Sequence, residues 1–183
     1  MDQKKVYDNL ESISKDSDPW VKENDYVDES NKNLLELIQM VPHDSILDVG
    51  CGSGEITKLL TTISKDVTGI DVSESAIERA RKNVPKAKFE ALSLEDFQTT
   101  KKFDVIVCAE ILYYILDRKK ALEKLQKLGK YLVTSNFIIC LPAASFKSVL
   151  YEIDLRKFPL KKRIIEKSLR YKMITIKSLR KLE

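Results

Sequence analysis

Ser45-Ile46-Leu47-Asp48-Val49-Gly50-Cys51-Gly52-Ser53-Gly54-Glu55-Ile56-Thr57 is the stretch that decides the fold of this 183-residue chain. Ile46, Leu47 and Val49 have the apolar character of a buried strand, and glycines follow at alternate positions, Gly50, Gly52 and Gly54. Ile56, Leu59, Leu60 and Ile63 then recur at helical spacing. A strand, a glycine turn and a helix in immediate succession form a β–α unit. Its bare backbone lets a ligand approach closely, and its helix start offers N–H groups to an acidic ligand group. Asp48 stands just before the turn, where a carboxylate repels phosphate but suits a cation. The loop therefore fits a small zwitterion better than a nucleotide phosphate.

The spacing excludes two common glycine loops. A dinucleotide fingerprint has G-x-G-x-x-G, but here the third glycine comes one residue early and Glu55 takes its place. The chain has no G-x-x-x-x-G-K-[ST] segment, which removes the phosphate-cradling NTPase loop.

Around this unit, strand and helix patterns alternate, as in a parallel sheet covered by helices. After the first strand, Ser45–Val49, a helix is expected from about Glu55 to Ser64. The second strand is Val67–Asp71, followed by Ser73 as N-cap of a helix to Asn83 that Pro85 stops. The third is Lys88–Leu92. Phe103–Ala109 is a nearly continuous apolar run of the type buried on both faces. A helix over Arg118–Leu128 puts Ala121, Leu122, Leu125 and Leu128 on one side. Gly129 ends it before a fifth strand at Tyr131–Ser135, with an extension to Ile139 left open. Upstream, Ser30–Met40 has an amphipathic helical pattern. Downstream, Ala143–Leu155 has helical spacing, and Arg163–Leu169 with Met173–Ile176 suggests an antiparallel pair.

The D-x-G-x-G-x-G motif after an apolar strand resembles motif I of the class I S-adenosylmethionine (SAM) methyltransferases. The resemblance covers residues 45–140 and implies an α/β, Rossmann-like, doubly wound fold. Its mostly parallel seven-stranded sheet has the order 3-2-1-4-5-7-6 with strand 7 antiparallel. It also implies SAM as cofactor, with Gly50, Cys51, Gly52 and Gly54 packed on its methionine part and Asp48 supporting the loop and the amino group. Asp71, at the end of the second strand with Val72 beside it, matches the family's ribose-binding acid; capping of the next helix is its plain structural use. Ser93 stands where relatives often carry an Asp toward the adenine amino group, with Leu94 beside it. This departure leaves the adenine contacts to the Ser93 hydroxyl or to Glu95 and Asp96. Leu94 and Phe97 are either pocket wall or core.

The segment Ala109-Glu110-Ile111-Leu112-Tyr113-Tyr114-Ile115 ends the fourth strand and is expected to face the methyl group and the acceptor. It has neither an N-P-P-[YF] loop nor the Pro-Cys pair used for covalent attack on cytosine. Together with Asp18-Pro19-Trp20 and Tyr26 it is similar to the NodS-like methyltransferases, which N-methylate an amino sugar. Glu110 is the candidate base, with Tyr113 and Tyr114 as orienting hydroxyls, since an amine or hydroxyl nucleophile must lose a proton. Bracing of the strand-four loop, or contact with the amino group of SAM, is an equal alternative for Glu110. Trp20 and Tyr26 are candidate acceptor-side aromatics or simple anchors of the N-terminal segment. His43 lies at the opposite, amino end of the sheet, in a surface loop.

Composition sets the remaining bounds. The length suits one domain: residues 1–44 as an N-terminal helical lid or substrate element, 45–140 as the cofactor core, and 141–183 as a C-terminal helix and strand pair. Three widely spaced cysteines, Cys51, Cys108 and Cys140, fit neither a disulfide framework nor a zinc site and suggest the cytoplasm. No apolar run is long enough for a membrane span. Residues 151–183 hold eleven Lys/Arg against four Asp/Glu, a net of +7 within a chain of +4. That excess suits either a solvated sheet edge or an acidic partner such as RNA. The expected function is methyl transfer to an N or O atom of a small-molecule or sugar-like acceptor. The alternatives are an RNA- or protein-directed enzyme and a non-catalytic SAM-binding protein.

Overall fold

The computed structural model describes residues 25–115, 117–137, 163–169 and 172–178. Its strands are β1 (Ser45–Val49), β2 (Asp66–Asp71), β3 (Lys88–Ala91), β4 (Phe103–Ala109), β5 (Gly129–Phe137), β6 (Arg163–Leu169) and β7 (Lys172–Ser178). The helices are α1 (Asp25–Ile38), α2 (Glu55–Leu60), α3 (Glu74–Asn83) and α4 (Arg118–Leu128), with a 3-10 turn at Leu112–Tyr114. The sheet order is β3-β2-β1-β4-β5-β7-β6. β1 through β5 pair in parallel, and β7 runs antiparallel to both β5 and β6. This is the doubly wound arrangement that the alternation of strands and helices predicts. The order reverses between β1 and β4, which makes their carboxyl ends the topological switch point.

Strand alternation sends successive side chains to opposite faces, and each face has its own cover. Leu47, Val49, Ile106, Cys108 and Leu132 pack with the α4 stripe of Ala121, Leu122, Leu125 and Leu128. Ile46, Val67, Val105, Val107 and Val133 pack with Leu34, Leu37 and Ile38 of α1 and with Leu60 of α2. A smaller cluster joins Ile77, Ala80 and Val84 to Phe89 and Cys51. Burial of Phe103 through Cys108 without a break confirms β4 as a central strand.

The differences from expectation lie at element ends. α1 spans Asp25–Ile38 rather than Ser30–Met40. In the sequence, acidic Asp25, Asp28 and Glu29 stand at its start, where negative charge favours a helix N-terminus. It ends early because Met40 and Val41 donate to Leu37 O and Ile38 O, tightening the last turn. α2 stops at Leu60, four residues before Ser64. The Thr61 and Thr62 hydroxyls donate to Lys58 O and Leu59 O, both at 2.7 Å, and draw the chain out of the helix. β3 closes at Ala91 and not Leu92, and β7 is longer than Met173–Ile176 by residues at both ends. Gly129 both caps α4 and begins β5, with extended φ of −144°. A Cβ there would lie 2.7 Å from Ile106 Cδ1, so glycine lets the helix pass straight into the strand. β5 does extend past Ser135, as far as Phe137; its further course to Ile139 and the helix expected at Ala143–Leu155 lie outside the described residues.

The amino ends of the strands carry a polar clamp that sequence patterning does not reveal. Asp104 Oδ2 accepts from Ser45 N (3.2 Å) and Ser45 Oγ (3.1 Å), its own amide donates to Ser45 Oγ (3.0 Å), and Lys130 Nζ bonds Oδ1. β1, β4 and β5 are thus tied together. The Lys130 ammonium, followed by the Ser45 bonds, holds the Asp104 carboxyl below the usual range against the opposing effect of burial. A depressed carboxyl pKa stabilises the fold above the unfolded value, near pH ~4, and that share is lost as pH falls through the folded value. Asp104→Ala is expected to cost about 1–3 kcal/mol in urea unfolding at neutral pH, and its stability should fall less steeply than the parent's on acidification.

Candidate functional site

Three strand ends build the site. Val49 leads into a loop in which Gly50, Gly52 and Gly54 all have left-handed φ, at +74°, +53° and +91°. L-residues avoid that region, so the alternate glycines of the sequence are a backbone requirement. Gly50 has a second reason: a Cβ on it would lie 2.7 Å from Ile111 Cγ1, in the segment after β4. Lack of a side chain at residue 50 lets the ends of β1 and β4 close on each other.

The loop amides are largely used within the protein. Gly50 N and Cys51 N both donate to Ile70 O, at 2.8 and 3.1 Å, and Gly54 N donates to Cys51 O at 3.0 Å. Gly52 N donates to Asp71 Oδ2 at 3.0 Å. These bonds engage the amides ahead of the helix, whereas the N–H groups expected to meet an acidic ligand group are those of the first turn, Glu55, Ile56 and Thr57. The loop presents glycine backbone and a carboxylate, with α2 only six residues long. This suits a ligand recognised by shape and positive charge more than one recognised as an anion.

Asp71 is the bridge between strand ends. Its Oδ1 accepts from Ser73 N at 3.0 Å while Oδ2 holds the glycine loop. Val72 is half-buried beside it, and Ser73 caps α3 by accepting from Ala76 N at 3.2 Å. α3 also reaches the loop directly, since Asn83 Nδ2 donates to Ser53 O at 3.1 Å.

Asp48 does not face the ligand side openly. It is 1% exposed and accepts a 2.6 Å bond from Thr57 Oγ1, itself fully buried on α2. Burial pushes the Asp48 carboxyl up to about 7; the Thr57 bond opposes that rise and the Asp71 charge adds to it. Cys51 packs its thiol into the Ile77–Phe89 cluster, so only its backbone is available to a ligand. Burial raises both the Cys51 and Cys108 thiols well above their ordinary value, which makes neither a nucleophile.

At the end of β3, the Ser93 hydroxyl donates to Asp96 Oδ2 at 2.7 Å and accepts from Asp96 N at 3.1 Å. Both groups are engaged with each other in a local turn. Leu94 and Phe97 belong to the core around Leu122 and Leu125, and Phe97 lies tilted against Phe103 with centroids 6.5 Å apart. At the end of β4, Ala109 and Glu110 are half-buried, and Glu110 has a φ of +57°. Among the described residues it alone other than glycine has positive φ. The chain then enters the 3-10 turn that holds Tyr113 and the half-buried Tyr114. Tyr26 falls within α1, and Trp20 lies outside the described residues. His43 is half-buried at the other end of the sheet, its Nδ1 2.6 Å from Val41 O.

The structure thus joins Gly50, Cys51, Gly52, Gly54 and Asp71 by hydrogen bonds around Ile70 and Asp71, ties Asp48 to Thr57 of the following helix, and brings Ile111 against Gly50. Sequence reasoning missed Thr57, Asn83 and Ile111. Thr57 had a usable signal, being a polar residue on the inward face of a helix one turn after Gly54.

Comparison with known proteins agrees with this geometry. A family model described as a methyltransferase domain matches residues 41–177. Nodulation protein S of Bradyrhizobium diazoefficiens is 33% identical over 107 residues, covering 55% of this chain and 50% of that protein. A ubiquinone biosynthesis O-methyltransferase of Hydrogenovibrio crunogenus is 31% identical over 90 residues, covering 46% and 37%. The chain spans about half the length, or less, of these curated relatives. The crystal structure of N-methyltransferase NodS from Bradyrhizobium japonicum WM9 in complex with S-adenosyl-L-homocysteine superposes with a TM-score of 0.74 at 23% identity, covering 94% of this chain and 97% of that one. A glycine loop locked to the acid at the end of β2, on a doubly wound sheet matched from residue 41 to residue 177, places this chain in the methyltransferase-domain family.

Proposed function

We propose that this protein is a SAM-dependent methyltransferase acting on an N or O nucleophile of a small-molecule or sugar-like acceptor. The observation that carries the reading is the Asp71–Gly52 bond at the switch point, which couples a three-glycine loop to a carboxylate within reach of the same ligand. Family membership supports the reaction class, and relatives named for N- and O-methyl transfer support both kinds of acceptor atom. Bound SAM would supply an electrophilic methyl group on a sulfonium. The rest is proton removal from the nucleophile and positioning, the latter worth in principle roughly 7–11 kcal/mol for well-aligned reactants.

In this reading Gly50, Cys51, Gly52 and Gly54 pack their backbone against the methionine part. Asp71 accepts the ribose hydroxyls, as a carboxylate at the end of β2 beside the glycine loop can. Val72, Leu94 and Ala109 line the ligand, and the adenine amino group meets the Ser93–Asp96 turn. Glu110 takes the proton of the nucleophile, with Tyr113 and Tyr114 orienting it. Left-handed backbone at a glutamate costs free energy, and such strain concentrates at functional positions, which favours a working role for Glu110. Trp20 and Tyr26 are assigned to the acceptor side. Sparse cysteines and the lack of a helix long and apolar enough to cross a membrane, among the described residues, agree with a cytoplasmic enzyme.

Calorimetric titration of the protein with SAM and S-adenosylhomocysteine tests the reading; absence of binding by folded protein would overturn it. Asp71→Ala is expected to weaken binding at least about tenfold, equal to ~1.4 kcal/mol. Gly50→Ala should do so by a different route, since its methyl meets Ile111 and its φ is left-handed. Glu110→Gln should leave SAM affinity within about threefold and slow turnover by roughly 10²-fold or more, read as S-adenosylhomocysteine formation across an acceptor panel.

A further inference from the structure

Asp48 is a carboxyl group sealed beneath the loop that is assigned to the methyl donor. It is 1% exposed, and its hydrogen bond comes from the neutral Thr57 hydroxyl at 2.6 Å. Each neighbouring element faces it with a group that does not neutralise it. α2 supplies Thr57, β2 supplies the Asp71 carboxylate, and the loop and β4 supply the Cys51 and Cys108 thiols. Both thiols stay protonated at neutral pH because burial raises them. A charge in that setting lacks water and adjoins a like charge, so an arriving cation is its natural counter-ion.

We propose that binding of a cationic ligand at the glycine loop is coupled to release of one proton from Asp48, and that Thr57 is the positioning residue that sets the pH at which this happens. The inference rests on the assignment of this loop to SAM and its product. Asp48 in its neutral form loses its carboxyl proton to the buffer as the ligand's ammonium group settles on the loop above it, leaving a buried carboxylate beneath a cation. Thr57 Oγ1 donates to the ionised form and so eases the loss. Asp71 resists it, because its own charge lies across the loop. A group half-protonated near pH 7, as burial makes Asp48, gives this coupling its range.

The test is calorimetric titration of the full chain with S-adenosylhomocysteine between pH 6 and pH 8 (about one unit either side of the Asp48 midpoint), in two buffers of different ionisation enthalpy. The native protein should bind about tenfold more tightly at the upper end than at the lower and release about half a proton per ligand near the midpoint. Asp48→Asn should remove both the slope and the release, leaving any proton exchange that belongs to the ligand. Thr57→Val should move the whole profile to higher pH, and Thr57→Ser should restore it. A flat profile with no proton release in the native protein overturns the proposal while leaving the assignment of the loop intact. A uniform loss of affinity in Thr57→Val, with an unmoved midpoint, reduces Thr57 to a packing residue. Should Asp48→Asn fail to fold, the native profile and the Thr57 pair decide the matter. No binding at any pH by folded native protein overturns the assignment itself.

Discussion

The carboxylate of Asp71 is the interaction on which the rest of the site depends. One oxygen holds Gly52 N and the other Ser73 N, so a single side chain fixes the β1 loop against the turn after β2. Without it, three left-handed glycines in five residues would have little to select one conformation, since glycine has more backbone freedom to lose than any other residue. The Ile70 carbonyl adds two more bonds from Gly50 N and Cys51 N. The loop is therefore pre-formed by β2 rather than by its own short helix. A rigid loop spares the ligand the cost of ordering it, the usual advantage of preorganisation.

Polar groups are divided between the two ends of the sheet. At the amino ends, Asp104 with Ser45 and Lys130 satisfies charge with charge and joins three strands. At the carboxyl ends, Asp48 and Asp71 adjoin each other, bonded by a hydroxyl and by backbone amides. The first arrangement holds its acid below the ordinary range, and in the second burial drives Asp48 up. One end is arranged for stability and the other tolerates unfavourable electrostatics. That contrast is common where a protein keeps binding capacity at a cost in stability.

Much of this was legible in the chain. Alternate glycines after Ile46–Val49 could mean only a tight β–α turn, and the unbroken apolar run of β4 only a central strand. Ser73 and the α4 stripe marked helices whose bounds agree with the structure. Element ends were less legible because they depend on hydroxyl-to-carbonyl bonds, as at Thr61 and Thr62, which no hydrophobic period encodes. Contacts between distant residues were silent for the same reason. Nothing near Gly50 announces Ile111, and nothing near Asp104 announces Ser45, fifty-nine positions away. The left-handed φ of Glu110 is likewise something that residue propensity does not announce.

Gly129 has a consequence for how this chain can vary. Because α4 runs into β5 with no loop between them, the helix stripe and the strand register share one continuous count of residues. β5 is paired on both sides, with Phe103 opposite Gly129 in β4 and Ser178 opposite Tyr131 in β7. A single residue inserted at this junction would rotate α4 by a fraction of a turn or exchange the two faces of β5, and neither layer has slack to absorb it. Length variation is thereby excluded from the one helix-to-strand junction among the described residues that has no connecting residues, and directed toward the segments that join the other elements.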